Sequence, residues 1–209
     1  TEDSSEEGSS EDTTDATTEE PKDPEKITYD FSSMTDDEFK KTIDDLTSDQ
    51  TYEALDAVWR NYCISDILEP GSTFKPFTIA GAIEDGVVKD GDTFYCKGYE
   101  IVADGTDPIY CHNRTGDGTL TLKQALEQSC NVALMQIAKS EGKETFSKYQ
   151  DIFNFGSQTG IDLSGEGSGL VYSEENLNPV ELATSSFGQG INVTMIQMAA
   201  AFCSLINGG

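Results

Sequence analysis

The chain has 209 residues and a formal net charge of -26, with 39 acidic against 13 basic side chains. That length supports one domain with a real core. No basic patch is available to neutralise phosphates, which argues against nucleic acid, and the acidic balance disfavours anionic lipid.

The charge is uneven. Residues 1–50 carry 18 acidic and 4 basic side chains, so the leader is far more acidic per residue than the rest of the chain. Residues 1–26 hold Glu, Asp, Ser and Thr with almost nothing apolar. Such a segment cannot bury enough surface to offset its ordering entropy and is read as disordered. The folded portion is then expected over 27–209. No run of about eighteen apolar residues spans a membrane, and no signal peptide opens the chain. Beginning in an acidic tract and ending on Asn207-Gly208-Gly209, the sequence reads as a segment of a longer protein.

Thr35 to Glu38 spells a capping box, and Phe39, Ile43 and Leu46 follow at helical spacing, predicting a helix over 36–46. A second helical pattern runs through Tyr52, Leu55, Val58 and Trp59. Pro70-Gly71 turns the chain, and Ser72 is expected to open a helix to about Ile83, ended by Asp85-Gly86. Residues 87–118 read as short strands and turns, with strands at Thr93–Cys96 and Glu100–Ala103. Thr121 and Gln124 cap a helix with Leu122, Ala125 and Leu126 inward, which breaks near Ser129. Another runs from Asn131 to Gly142, and Phe146, Tyr149, Ile152 and Phe153 mark a further one. Residues 156–178 form a long Gly-rich connection. Asn178-Pro179 starts a helix. Thr194 and Gln197 cap the last one, with Met195, Met198, Phe202 and Leu205 as its apolar stripe.

The five cysteines are Cys63, Cys96, Cys111, Cys130 and Cys203, an odd number with no CxxC spacing. Cys96 and Cys111 either staple a hairpin or remain two reduced, half-buried thiols. Cys130 and Cys203 lie on helical patterns as small core residues. His112 beside Cys111 is a weak metal signal, and no metal site is assigned.

Chemistry concentrates in Glu69-Pro70-Gly71-Ser72-Thr73-Phe74-Lys75-Pro76. A turn delivers a serine to a helix N-terminus, and a lysine three residues later shares its face. A serine hydroxyl needs a base to take its proton, and a lysine can serve if burial lowers its pKa. SxxK alone is also the pattern of an ordinary capped surface helix. Ser129-Cys130-Asn131 sits at a helix junction, where a serine can relay protons and an asparagine can bind an amide. Ser186 to Thr194, containing Phe187-Gly188-Gln189-Gly190, reads only as a turn feeding a capped helix.

Together these segments resemble the transpeptidase domain of monofunctional (class B) penicillin-binding proteins. EPGSTFKP at 69–76, SxN at 129–131, FGQG at 187–190 and NGG at 207–209 occur in the family order, and the resemblance spans about residues 55–209. It implies an α/β fold of the penicillin-binding protein and serine β-lactamase type, truncated to mostly its helical portion with few strands. It implies Ser72 as nucleophile, Lys75 as general base, Ser129 as proton relay and Asn131 as a substrate-binding residue. The implied reaction cross-links peptidoglycan stem peptides through an acyl-enzyme, without cofactor, and β-lactams acylate the same serine. A site outside the bacterial cytoplasmic membrane, in a cell-wall synthesis complex and anchored by a segment beyond this chain, is also implied.

The family's third motif departs from the pattern, because no Lys-Thr-Gly or Lys-Ser-Gly occurs in the sequence. That strand supplies an oxyanion donor, whose loss costs about 10²–10³ in rate. The chain by itself is therefore expected to be inactive. Two other readings are a non-catalytic β-lactam sensor or scaffold and a serine β-lactamase. Ser-Thr-Phe-Lys resembles class D β-lactamases, whose second motif Asn131 does not fit. Glu174 to Asn178 matches the E-x-x-L-N of class A enzymes but runs into a helix start.

Overall fold

The computed structural model describes residues 33–208; the expected acidic disorder over 1–26 lies outside the described residues. The chain divides after Trp59, and each part is described by itself. The first holds α1 (Asp36–Asp44) and α2 (Ser48–Trp59). Thr35 and Glu38 close the capping box expected for α1.

The second part runs from Arg60. It comprises α3 (Tyr62–Ser65), β1 (Ile67–Leu68), a 3₁₀ turn (Gly71–Phe74), α4 (Lys75–Glu84), β2 (Thr93–Cys96), β3 (Tyr99–Glu100), β4 (Ile109–Tyr110) and β5 (Gly118–Thr121). It continues with α5 (Leu122–Glu127), α6 (Asn131–Glu141), α7 (Lys143–Ile152), α8 (Pro179–Ser185), β6 (Val193–Thr194) and α9 (Met195–Asn207). Three antiparallel pairs form: β1 with β6, β2 with β5 and β3 with β4. The first joins the segment before the serine turn to the segment leading into α9, and it sets Leu68 opposite Val193.

Helix α6 is the central element. Val132, Ala133, Leu134, Met135, Ile137 and Ala138 are all buried, so nearly its whole circumference is apolar, as a helix surrounded by protein requires. It packs on α4, α7, α8 and β2. One apolar cluster unites α6 with Ile79, Ala82, Leu120, Leu122 and Phe187. A second is aromatic: Phe74 lies 4.9 Å from Phe155, and Phe77 lies 4.7 Å from Phe202, centroid to centroid. Burial of each such ring contributes about 1.5–3 kcal/mol. Phe74 and Phe77 flank Lys75, so this cluster anchors the start of α4.

Several expectations are corrected. Ser72 lies within a 3₁₀ turn opened by Gly71, and the α-helix begins only at Lys75. The strand expected at Glu100–Ala103 is confined to Tyr99–Glu100. Leu126 is exposed, because Leu122 and Ala125 already face the core of a six-residue helix and position 126 rotates away. Cys203 and Met195 are exposed for the same reason: Met198, Phe202 and Leu205 define the packed face of α9. Cys96 and Cys111 are free thiols, and they are fully rather than half buried. Among the described residues no helix is long and apolar enough to cross a membrane.

Candidate active site

The serine turn is held from two sides. Gly71 has a left-handed backbone (φ 54°), and its N–H donates to the Gly188 carbonyl at 2.9 Å. The Gly190 N–H donates to Glu69 Oε1 at 2.9 Å, and Thr78 Oγ1 donates to the Ser186 carbonyl at 2.8 Å. The octet and the FGQG segment, more than a hundred residues apart in sequence, are therefore laced together. Periodicity could not reveal this, because the signals are glycines and backbone carbonyls rather than apolar positions.

The 3₁₀ turn has a chemical consequence. Residues three apart eclipse one another in a 3₁₀ turn, so Ser72 and Lys75 share a face. Ser72 is exposed, whereas Lys75 is 1% exposed. Across from them, α5 ends and Ser129 adopts a positive φ of 53°, unusual for a residue with a side chain. That conformation turns Ser129 toward the octet before α6 starts.

The structure brings Ser72, Lys75, Ser129 and Asn131 together. Lys75 Nζ donates to Ser129 Oγ at 2.9 Å, to the Ser129 carbonyl at 2.5 Å and to Asn131 Oδ1 at 2.8 Å. Ser129 Oγ donates in turn to Ser72 Oγ at 3.0 Å. The three ammonium hydrogens are thus matched by three acceptors on the SxN loop, and Ser129 stands between the lysine and Ser72. Burial lowers the Lys75 ammonium from 10.5 to about 8; charge on Cys111 and Cys130 acts in the opposite direction. An amine poised near neutral pH can take up or release a proton during a reaction.

Asn131 spends Oδ1 on Lys75, a bond that does not engage its amide nitrogen. The E-x-x-L-N stretch behaves differently. Glu174–Asn176 form a short 3₁₀ turn, and Asn178 Oδ1 accepts from the Val180 and Glu181 amides, capping α8. Sequence reasoning did not anticipate a cluster of Cys96, Cys111, Asp117 and Cys130 behind the SxN loop, where ligand atoms from all four converge. His112 is not in it; its Nδ1 lies 3.6 Å from Cys111 Sγ.

The penicillin binding protein transpeptidase domain family matches residues 19–209. Stage V sporulation protein D of Bacillus subtilis is 44% identical over 151 residues, covering 72% of this chain and 23% of that protein. Peptidoglycan D,D-transpeptidase FtsI of Escherichia coli is 31% identical over 146 residues, covering 70% and 24%. Among solved structures, the transpeptidase domain of Burkholderia pseudomallei penicillin-binding protein 3 superposes with a TM-score of 0.66 at 29% identity, covering 72% of this chain and 44% of that one. Pseudomonas aeruginosa PBP2 in complex with WCK 5153 gives 0.70 at 26%, covering 78% and 40%. The chain thus spans about a quarter of the length of the first two relatives.

Proposed function

Because the chain belongs to the penicillin-binding protein transpeptidase domain family, we propose that it forms the serine-acylating part of a D,D-transpeptidase. The substrates are peptidoglycan stem peptides. The observation that carries this reading is the hydrogen-bonded series Lys75 Nζ, Ser129 Oγ, Ser72 Oγ.

Ser72 Oγ attacks the carbonyl of the penultimate D-alanine, and its proton passes through Ser129 Oγ to neutral Lys75. The tetrahedral intermediate collapses, its C–N bond breaks, and the same relay returns a proton to the departing D-alanine amine. An amine from a neighbouring strand then attacks the acyl-enzyme ester, frees Ser72 and completes the cross-link. Asn131 orients the stem peptide through its amide nitrogen. β-Lactams enter at the first step and leave a slowly hydrolysed ester on Ser72. The reaction takes place outside the cytoplasmic membrane, where stem peptides lie, within a cell-wall synthesis complex.

The family's oxyanion strand is not part of this sequence. The test therefore joins the chain to a strand bearing Lys-Thr-Gly and supplies a stem-peptide mimic ending in D-Ala-D-Ala with an acceptor amine. Release of D-alanine together with cross-linked product supports a transpeptidase. A stable β-lactam adduct on Ser72 with no D-alanine released from the mimic would instead indicate a sensor, and rapid hydrolysis of an added β-lactam would indicate a β-lactamase.

A further inference from the structure

Four residues that the reaction does not use converge beside it. The thiols of Cys96, Cys111 and Cys130 are 1%, 2% and 0% exposed. They come from the end of β2, the residue after β4 and the residue capping α6. Asp117, just before β5, completes the group, and the four ligand atoms all lie within 4.8 Å of one another. We propose that these four side chains bind a zinc ion, which fastens the loop carrying Ser129 and Asn131 to the β2–β5 hairpin.

Three features favour a metal over ordinary thiol packing. First, the spacing fits. Four ligands about 2.3 Å from a tetrahedral zinc lie about 3.8 Å apart, and Cys111 Sγ to Cys130 Sγ is 3.9 Å. Second, Asp117 Oδ2 is buried without any hydrogen-bond partner. Its other oxygen accepts from Asn113 Nδ2 at 2.6 Å, which fixes the carboxylate as an outer partner fixes a metal ligand. A buried, unpartnered carboxylate oxygen is costly unless a cation faces it. Third, a backbone donor already faces one of the sulfurs: the Ala133 N–H donates to Cys130 Sγ at 3.5 Å. A set of three thiolates and one carboxylate selects zinc among common divalent ions, since magnesium and calcium take oxygen ligands.

The backbone is built for this closeness. Gly116 has φ 86°, and a Cβ there would stand 2.5 Å from the Cys96 carbonyl oxygen. Only glycine lets the turn carrying Asp117 lie against the end of β2. Because Cys130 sits between Ser129 and Asn131, the ion would hold the SxN loop in its positive-φ conformation.

The test is metal content, which needs no acylation and so stands apart from the proposed reaction. The protein is purified under reducing conditions without chelator, its folding is checked by circular dichroism, and metal is counted by plasma mass spectrometry. We expect one zinc per chain. Replacement by Co(II) is expected to give the intense visible bands and sulfur charge-transfer absorption of tetrahedral thiolate cobalt. In the zinc form only exposed Cys63 and Cys203 should react with a thiol reagent; all five react after chelation and unfolding. Asn113→Ala, which removes the hydrogen bond to Asp117 together with those to Gly116 and Thr115, is expected to weaken zinc binding ~10–100-fold. A folded protein with all five thiols reduced that binds neither zinc nor cobalt overturns the proposal. A Cys111–Cys130 disulfide in metal-free, freshly purified protein also overturns it.

Discussion

Gly188 lies over Gly71 so closely that a Cβ on Gly188 would penetrate the Gly71 peptide unit. Gly188 also has a left-handed backbone, φ 83°. Gly71 immediately precedes Ser72, so the FGQG segment acts as a backbone clamp on the proposed nucleophile. Gly188→Ala meets both penalties: roughly 1–2 kcal/mol for the left-handed conformation, plus the clash. We expect the variant to melt earlier and, in a folded chain joined to a strand bearing Lys-Thr-Gly, to acylate with a β-lactam at least ~10²-fold more slowly, because a displacement of about 1 Å at a nucleophile costs that much. Wild-type acylation in a folded Gly188→Ala protein would remove the clamp.

Ser129 joins an unfavourable backbone to its proposed place in the proton relay. Ser129→Ala keeps the positive φ and loses the relay, whereas Ser129→Gly loses the relay and relieves the strain. In the chain joined to a strand bearing Lys-Thr-Gly, both are expected to acylate ~10²–10⁴-fold more slowly, the usual range for a proton-transfer group. The glycine variant should be about 1 kcal/mol more stable than the alanine variant in denaturant titration. Equal stability would show that the φ of 53° stores no strain.

Lys75 titrates at about 8 because it is buried. Only the neutral amine accepts the Ser72 proton, so the acylation rate should rise with pH through about 8 and level off above it. Lys75→Arg, whose guanidinium stays charged, should abolish that rise and most of the rate. The check is the acylation rate constant across pH with a chromogenic β-lactam, on the chain joined to a strand bearing Lys-Thr-Gly. A flat profile with Lys75 in place would exclude it as the base.

Glu141 supplies a separate pH signature in stability. It is 8% exposed, neither carboxylate oxygen has a hydrogen-bond partner, and burial, helped by the charge on Asp85, raises its pKa from 4.5 to about 8. Between those values the folded chain holds a proton that the unfolded chain releases, so stability falls as pH rises through the window. Glu141→Gln should flatten the fall and exceed the parent above about pH 8 by on the order of 1 kcal/mol or more, because each tenfold change in proton affinity corresponds to ~1.4 kcal/mol. Melting curves at several pH values read this directly; parallel curves for the two proteins would contradict it.

Local chemistry was legible in the sequence, and long-range geometry was not. The capping boxes at Thr35, Thr121 and Thr194 all form, because each needs only a hydroxyl and a partner three residues on. Ser72 and Lys75 share a face for an equally local reason, although the turn is 3₁₀ rather than α. The clamp of Gly188 on Gly71 lies beside the pairing of β1 with β6, and the grouping of Cys96, Cys111, Asp117 and Cys130 depends on the pairing of β2 with β5 and on where α6 begins. No spacing rule encodes those positions. Leu126, Met195 and Cys203 are misplaced by periodicity alone, since a short or half-covered helix buries fewer residues than its apolar count suggests.

Acylation of Ser72 is tested by intact mass after exposure to penicillin, on this chain and on the chain joined to a strand bearing Lys-Thr-Gly. We expect a single covalent adduct on the joined protein, mapped to the Ser72 peptide and absent in Ser72→Ala, with little or none on the unjoined chain. A folded joined protein that takes up no penicillin, or that carries the adduct on a residue other than Ser72, would contradict the assignment of Ser72 as nucleophile.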